Sequence, residues 1–469
     1  MTAQHVIRSL ATGLAFAALA GAAPAAQAVV PGQWETLASG AGEPGTADDP
    51  GLHRTPDGVL HVAWVSAAGP LSDSLLERRI SAAGSLLPGT STVVSGWVDL
   101  SDGAFIDDAG GLRIFFGGQQ STVTGTPLGV MTATAAGGGW SPPTQLTDTY
   151  GTVSAAAAGP AVPLLTFESQ SRVALYAGLA PGAPLSTVAS GVTDGSGNVV
   201  VDSSGRGTVV WCAFGTDAGG IYAQEIDPTT AQPNGSLFVL PGSTTSFGGQ
   251  RYSTCVLQTE VSRRMPAVAR AGGGVYVAGS TGYPTLSRVV VWRVGAPAGR
   301  TVASQGGVSH REPQLAADRN GRIWAGWVRS GRGAPVIVVR RSNRTASVFG
   351  APVTVRAPAG WTLGSFESSA TAARLDVLAQ LAKVDNTKSL QHTVAYPGLT
   401  LQRVRVVRRP GGRRAVTYRV LDAGDPVARA SVRAGAVSGR TAANGRVTLV
   451  LRGSIRATAT KAGYTRATV

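Results

Sequence analysis

The sequence has few cysteines and, beyond its first residues, no long uninterrupted apolar run. Only Cys212 and Cys255 occur among 469 residues, and neither forms a Cys-x-x-Cys or Cys/His pattern. This excludes a disulfide-dense fold and gives no sign of a zinc site. A transmembrane helix needs about 20 apolar residues, and no later stretch reaches that length without charges or Gly/Pro breaks. We therefore expect no transmembrane segment.

Several catalytic signatures are also absent. No serine has glycine at both the −2 and +2 positions, so the nucleophile elbow of α/β-hydrolases is missing. After the first residues the histidines are His53, His61, His310 and His392, and none has the His-Glu-x-x-His spacing of zinc proteases. A packed or rim role is the simpler interpretation of His61. Because these catalytic motifs are missing, the sequence favours a binding protein over an enzyme.

The first 28 residues are typical of a secretory signal peptide. Arg8 precedes an apolar run over residues 10–20, and Ala26-Gln27-Ala28 forms a small-x-small cleavage site. We expect a secreted or cell-surface bacterial protein that begins near Val29. In an exported chain an even number of cysteines favours a disulfide, so we predict a bond between Cys212 and Cys255.

The composition favours strands and turns over helices. There are 63 Gly and 27 Pro, and the apolar residues occur in short Val/Leu/Ile runs without a 3.6-residue period. A strand-turn-strand unit stands out at residues 312–327, where Asn320-Gly321 supplies the positive-φ positions of a hairpin. Similar units recur about every 50 residues, a period typical of four-stranded propeller blades. Their turns are centred at Gly58, Gly110, Pro160, Gly205, Gly274, Gly321 and Ala373.

We therefore predict an all-β chain: a six- or seven-bladed β-propeller over residues 29–400 and a small C-terminal β-sandwich over residues 401–469. The longest interval between units, from Gly205 to Gly274, predicts an inserted loop from Pro228 to Arg264. Cys255 lies in this loop, so the expected disulfide bond would hold the loop against its own blade.

The last 70 residues resemble a carboxypeptidase regulatory-like or bacterial Ig-like domain. The resemblance rests on a Pro-Val-x-x-Ala-x-Val strand from Pro426, a Thr-x-x-Asn-Gly turn ending at Gly445, and a Lys-x-Gly-Tyr ending at Tyr464. It implies an accessory module that serves adhesion or spacing and has no catalytic residues of its own.

The propeller units resemble sialidase-type repeats more weakly. Asp318, Gly321 and Trp324 are similar to the Asp box Ser-x-Asp-x-Gly-x-x-Trp, but Ala316 replaces the serine and the glycine follows the aspartate by three positions. A structural turn is the simpler explanation, since Asp and Gly are common in hairpin turns. A sialidase-like glycosidase would need arginines and carboxylates that converge, and the candidate carboxylates are Glu168, Glu312 and Glu367.

One loop offers oxygen ligands at alternating positions. Asp194, Ser196, Asn198 and Asp202 are the candidate calcium ligands, although the bidentate glutamate of a calcium loop is missing and a Gly-rich turn is the simpler interpretation. No other cofactor is predicted.

The net charge of +15 is concentrated in the tail. Residues 401–469 contain fifteen Arg/Lys and only Asp422 and Asp425 as acids, whereas the first 400 residues are nearly balanced. The densest group of arginines predicts binding of an anionic polymer, without base stacking or sequence-specific nucleic-acid recognition. That group consists of Arg405, Arg408, Arg409, Arg413 and Arg414.

Together these patterns predict a secreted, monomeric binding or adhesion protein whose partner is an anionic cell-envelope polymer or a carbohydrate. The alternative, from a different functional class, is a secreted sialidase-like glycoside hydrolase.

Overall fold

The computed structural model is all-β, with 41 strands among the residues that it describes. It describes residues 30–39, 43–44, 50–67, 69, 72–101, 103–108, 110–123, 125–148, 151–157, 163–169, 172–179, 185–190, 197–213, 219–247, 250–253, 264–282, 285–331, 333–453 and 456–469. The predicted signal peptide lies outside these residues. In the described part of the chain no helix is long and apolar enough to cross a membrane.

In the described residues seven antiparallel sheets of four or more strands follow one another along the chain, and we call them blades 1 to 7. The innermost strands are Gly51–Arg54, Ala104–Asp108, Val153–Ala157, Gly197–Val201, Ala267–Ala269, Ser309–Ala317 and Thr362–Ala370. The second strands are Leu60–Ala67, Gly111–Gln119, Pro163–Ser169, Gly207–Ala213, Val275–Thr281, Ile323–Gly331 and Leu375–Ala382.

The third strands are Asp73–Ile80, Leu128–Ala136, Arg172–Ala177, Gly220–Asp227, Arg288–Arg293, Gly333–Arg341 and Lys388–Ala395. The outer strands are Ser91–Trp97, Thr144–Gln145, Leu185–Ser190, Gln232–Val239, Arg300–Ser304, Val353–Arg356 and, for blade 7, Glu35–Ser39. Short additional strands are Glu43–Pro44, Asp99–Leu100, Gly139–Trp140, Thr244–Phe247 and Gln250–Ser253.

The sheets form a closed ring. Each innermost strand contacts the innermost strand of the next blade, and that of blade 7 contacts that of blade 1. The N-terminal strand Glu35–Ser39 closes the ring by pairing with Lys388–Ala395 of blade 7. This is the propeller architecture that the repeat predicted. Apolar clusters lie between adjacent blades, as where Trp324 and Val339 of blade 6 meet Phe366 of blade 7.

We call the end of the ring where the innermost strands begin the upper face, and the end where they turn into the second strands the lower face. Six of the seven predicted turn centres fall on these connections, and Pro160 lies outside the described residues. At the lower turn of blade 6, between Asp318 and Arg322, Gly321 alone has a positive φ, at 74°, and its amide donates to the Asp318 carbonyl. The expectation that Asn320 also adopts a positive φ was wrong, because Asp318 Oδ1 accepts from the Asn320 and Arg322 amides and holds a different turn.

The predicted insertion needs a correction. Residues 232–239, which we expected in a long loop, form the outer strand of blade 4, paired with Gly220–Asp227. The sequence signal was misleading because every residue of this strand except one is exposed, so it lacks the alternation of a half-buried strand. The extra material is shorter and contains the hairpin of Thr244–Phe247 and Gln250–Ser253.

The C-terminal residues form two further sheets around a shared apolar core that includes Val416, Tyr418, Val432 and Leu449. One sheet contains Thr400–Arg409, Arg413–Asp422, Asp425–Pro426 and Arg446–Arg452, and the other contains Ser431–Ala434, Val437–Arg440, Ala457–Thr460 and Ala467–Thr468. The resemblance to a carboxypeptidase regulatory-like family stays a prediction.

These C-terminal sheets are attached to the lower face of blade 6. Arg341 donates to Asp422, and Arg322 contacts Asp422 at 3.4 Å and Asp425 at 2.6 Å. The Arg341 guanidinium also lies 5.7 Å from the centre of the Tyr464 ring. Because Arg341 and Asp422 are almost fully buried, this group of charges fixes the position of the C-terminal sheets on blade 6.

Candidate functional site

The upper end of blade 6 combines an open cleft with polar strand ends. In the strand register His310 lies opposite Arg329, and Arg329 lies opposite Val336 on the next strand. A cleft of about 590 Å³ adjoins these residues and is lined by Arg329, Arg356, Gln305 and several loop glycines. Two guanidinium groups in a glycine-lined cleft are suited to binding a carboxylate or sulfate group.

Glu312 lies on the innermost strand of blade 6, two positions after His310, in an unfavourable backbone conformation. Its φ is +50°, and among the described non-glycine residues with a positive φ it is the one inside a strand. The strand register shifts between Arg311 and Gln314, so Glu312 sits in a bulge. The following Pro313 adds to the strain because a residue before proline favours extended conformations. Glu312 is nevertheless buried, with a relative exposure of 8%.

Glu367 projects from the neighbouring innermost strand of blade 7. Gln314 Nε2 donates to Glu367 Oε1 at 2.6 Å and so joins blades 6 and 7. The strand of Glu367 also has a register shift, between Leu363 and Phe366. Thus two of the three predicted carboxylates lie on adjacent innermost strands beside bulges. Such local distortions of regular strands occur preferentially next to active sites.

His310 completes this upper end of blade 6. It is 3% exposed, its ring meets Trp327 edge-on at 6.0 Å, and neither ring nitrogen has a hydrogen-bond partner among the described residues. Burial and the positive charge of Arg329 lower the pKa of His310, which keeps the imidazole neutral at neutral pH. Arg311 Nη2 donates to Ser330 Oγ at 3.2 Å.

Arg264 was named in the sequence only as the end of a loop, yet it has a defined place on the upper face. It precedes blade 5, but its Nε donates to the Val153 carbonyl and its Nη2 to the Gly103 carbonyl, at the starts of blades 3 and 2. Its side chain therefore reaches across the mouth of the ring. No sequence signal distinguished it from the other arginines.

The third carboxylate and half of the predicted calcium ligands cannot be placed. Glu168 belongs to Pro163–Ser169 and pairs through its backbone with Val173, but its side chain lies outside the described residues, as do Asp194 and Ser196.

Asn198 and Asp202 are described and lie at opposite ends of one innermost strand. Four extended residues span roughly 13 Å, whereas calcium ligands lie about 2.3–2.6 Å from the ion, so the two cannot bind one ion. Asn198 Nδ2 donates to the Met265 carbonyl, and Asp202 accepts from Ser204 and Arg206 within its turn. No group of three acidic, His or Cys side chains suited to a metal exists among the described residues.

The predicted disulfide is described on one side only. Cys212 lies in Gly207–Ala213 and is disulfide-bonded. Cys255 lies outside the described residues, so its pairing with Cys212 stays a prediction.

A buried ion network that the sequence did not predict lies on the lower face where blade 7 meets blade 1. Asp376, fully buried, accepts from Arg54 at 2.6 Å and from Arg374 at 3.2 Å, and lies 3.0 Å from His392 Nε2. Burial opposes ionisation of Asp376, but His392 and the two arginines outweigh it and lower its pKa. Burial likewise opposes protonation of His392, but Asp376 and Glu35 outweigh it and raise its pKa. This network stabilises the closure of the ring.

The five arginines predicted to bind polyanions lie on the hairpin formed by Thr400–Arg409 and Arg413–Asp422, and all are exposed. His61, for which we expected a packed or rim position, is partly buried and its Nδ1 lies 2.8 Å from Glu77.

No protein-family model and no curated protein matches the chain. Among solved structures, one of unknown function from Dyadobacter fermentans is similar at 11% identity, covering 78% of this chain and 98% of its own, with a TM-score of 0.46. A polysaccharide lyase acting on ulvan is similar at 13% identity over 75% and 95%, with a TM-score of 0.45. An endo-arabinase from Bacteroides thetaiotaomicron is similar at 14% over 75% and 94%, with a TM-score of 0.30. At these values no activity is transferred to this chain.

Proposed function

We propose that this chain acts on an extracellular carbohydrate bearing acidic groups, as a glycoside hydrolase whose site is at the upper end of blades 6 and 7. The single observation that carries the proposal is Glu312, a buried carboxylate in a strained backbone conformation. It lies two positions after His310, whose strand partner Arg329 lines a cleft together with Arg356. Two of the similar structures act on polysaccharides by name, but the proposal rests on the residues of this chain.

In this proposal Glu312 and Glu367 are the two carboxylates of glycosidic bond cleavage. One donates a proton to the glycosidic oxygen as the bond to the anomeric carbon breaks, and the other either activates water or forms the glycosyl-enzyme bond. Gln314 orients Glu367 through its amide. Arg329 and Arg356 bind the acidic group of the sugar and so position the bond that is cleaved.

The test is release of reducing sugar from a panel of uronate-containing, sulfated and sialylated glycans by the full mature chain. We expect Glu312→Gln and Glu367→Gln each to reduce kcat by on the order of 1,000-fold, since each removes an acid or base. Arg329→Gln should raise KM more than it lowers kcat. Arg319→Gln, an exposed arginine at the lower turn of blade 6, is the matched control.

The product distinguishes reaction classes. Hydrolysis adds water across the bond and yields two saturated sugars, whereas a lyase leaves an unsaturated sugar that absorbs ultraviolet light. Binding of acidic glycans without any product would replace the enzyme proposal by the binding and adhesion function that the sequence first suggested. An unsaturated product would replace hydrolysis by elimination.

A further inference from the structure

The hairpin of the C-terminal sheets carries an exposed arginine-rich segment. We define the arginine arm as residues Gln402 to Arg414, all of whose side chains are exposed. It contains six arginines and no acidic residue. The arm consists of the edge strand of its sheet and the hairpin turn that follows, and Arg446–Arg452 pairs with the other side of Arg413–Asp422.

The strand register places like charges side by side. Arg408 lies opposite Arg414, Arg409 lies opposite Arg413, and Arg413 also lies opposite Arg452 on the third strand. Opposed residues have Cβ atoms about 4.5–5.5 Å apart, and like charges at that separation are destabilising. Within the part of the chain that the structure describes, none of the arm's arginines forms an ion pair. Repulsion between these arginines therefore lowers the stability of the fold, and folding alone does not require them at these positions.

The acidic residues of the C-terminal segment 401–469 do not pair with the arm. Asp422 and Asp425 are its only acidic residues, and both pair with Arg322 or Arg341 of blade 6. The propeller thus neutralises the two acids with its own arginines. The positive charge of the arm is left without internal compensation, and a cluster of this kind attracts polyanions.

The surface between the arginines is apolar but not aromatic. Val404, Val406 and Val407 are 41%, 46% and 38% exposed. Recognition of single-stranded nucleic acid usually uses aromatic side chains that stack on bases. The arm has no aromatic residue. Guanidinium groups pair with carboxylates and sulfates through two parallel hydrogen bonds.

We propose that the arginine arm is a binding site for a linear anionic polysaccharide carrying carboxylate or sulfate groups. The arm uses a surface of the C-terminal sheets, separate from the cleft of blade 6, so this inference does not depend on the proposed glycosidase activity. It assigns the arm the task of holding the protein on a polymer, whatever reaction the ring performs.

The experiment measures binding of the mature chain to dextran sulfate, with neutral dextran and duplex DNA as comparison probes, over a series of salt concentrations. The test variant is Arg408→Gln, Arg409→Gln, Arg413→Gln and Arg414→Gln combined. The control removes the same charge from exposed propeller arginines: Arg288→Gln, Arg300→Gln, Arg319→Gln and Arg344→Gln combined.

We expect the arm variant to lose on the order of 100-fold in affinity for dextran sulfate at low salt, with a shallower salt dependence, and the control to lose much less. The arm variant should also melt at the same or a slightly higher temperature, because repulsion has been removed. Equal losses for the two variants would overturn the proposal, since only net charge would then matter. Tighter binding to duplex DNA than to dextran sulfate would assign the arm to nucleic acid instead.

Discussion

The two faces of the propeller use similar residues in opposite ways. On the lower face, buried arginines pair with carboxylates: Arg322 and Arg341 with Asp422, and Arg54 with Asp376. On the upper face, Arg329 and Arg356 line an open cleft without an ion pair among the described residues, and Glu312 on the innermost strand of the same blade is strained. Paired buried charges hold parts of the molecule together, whereas uncompensated charges beside a cleft are available to a ligand.

The largest expected effect on stability concerns the lower face of blade 6. Asp422→Ala leaves the almost fully buried Arg341 without its carboxylate partner and leaves Arg322 with Asp425 alone. We expect a loss of about 3–5 kcal/mol in the attachment of the C-terminal sheets. Limited proteolysis and denaturant unfolding would show earlier release of residues 400–469. Asp425→Ala is the control, and because its side chain is 39% exposed the loss should be about 0–1 kcal/mol. Equal effects would contradict the central role of Asp422.

Ring closure gives the next effect, through pH. The pKa of His392 is raised from 6.5, so its contribution is complete below pH 6.5 and is lost as the pH rises through the folded-state pKa. The pKa of Asp376 is lowered from 3.8, so its contribution is complete above pH 3.8 and is lost as the pH falls through its folded-state pKa. The free energy of unfolding from this network should therefore be greatest between pH 3.8 and 6.5.

His392→Asn should lower stability by about 1–3 kcal/mol at pH 6 and flatten the decline at higher pH. Denaturant unfolding across pH measures both. An unchanged alkaline decline in this variant would show that another group causes it.

A smaller effect with the opposite sign is expected on the upper face. Glu312→Gly removes the strain of a positive φ, about 1–3 kcal/mol, but increases the backbone entropy of the unfolded chain. We therefore expect the free energy of unfolding to increase, or to fall by less than about 1 kcal/mol. Carbohydrate cleavage should be abolished. A clear loss of stability would mean that Glu312 holds the fold, and would remove the contrast between the two faces.

The smallest effect tests the cleft itself. Arg329→Gln and Arg356→Gln should change the free energy of unfolding by no more than about 0.5 kcal/mol, because neither guanidinium has an ion-pair partner among the described residues. Thermal melting with and without an acidic oligosaccharide measures this. If the oligosaccharide raises the melting temperature of the original chain but not of the variants, the contrast between the two faces is sharpened. If the variants are destabilised without ligand, the contrast is broken.

Much of the ring was predictable because its signals are local. A glycine at Gly58, Gly205 or Gly321 marks a turn that the backbone requires, and the flanking apolar runs mark the strands. The exposed outer strand Gln232–Val239 was missed because exposure removes the hydrophobic period.

The sites were less predictable because they depend on residues far apart in the chain. Arg54 and Asp376 are 322 positions apart, and nothing near either residue indicates the other. Glu312 was named as a candidate, but its bulge and positive φ result from the pairing of whole strands. Arg322 belongs to the most regular repeat in the sequence, yet its role toward Asp425 exists only because the C-terminal sheets dock there.

The closing strand Glu35–Ser39 has a consequence for how the chain reaches its native state. Thr393 donates to the carbonyl of Gln33, 360 positions earlier. During synthesis the strand that completes blade 7 is therefore made first and stays unpaired until nearly the whole ring has been made. Contacts at such sequence separation form slowly. Until then the ring is open and has an exposed strand edge. Pairing of Glu35–Ser39 with blade 7 therefore competes with pairing of that edge with another chain.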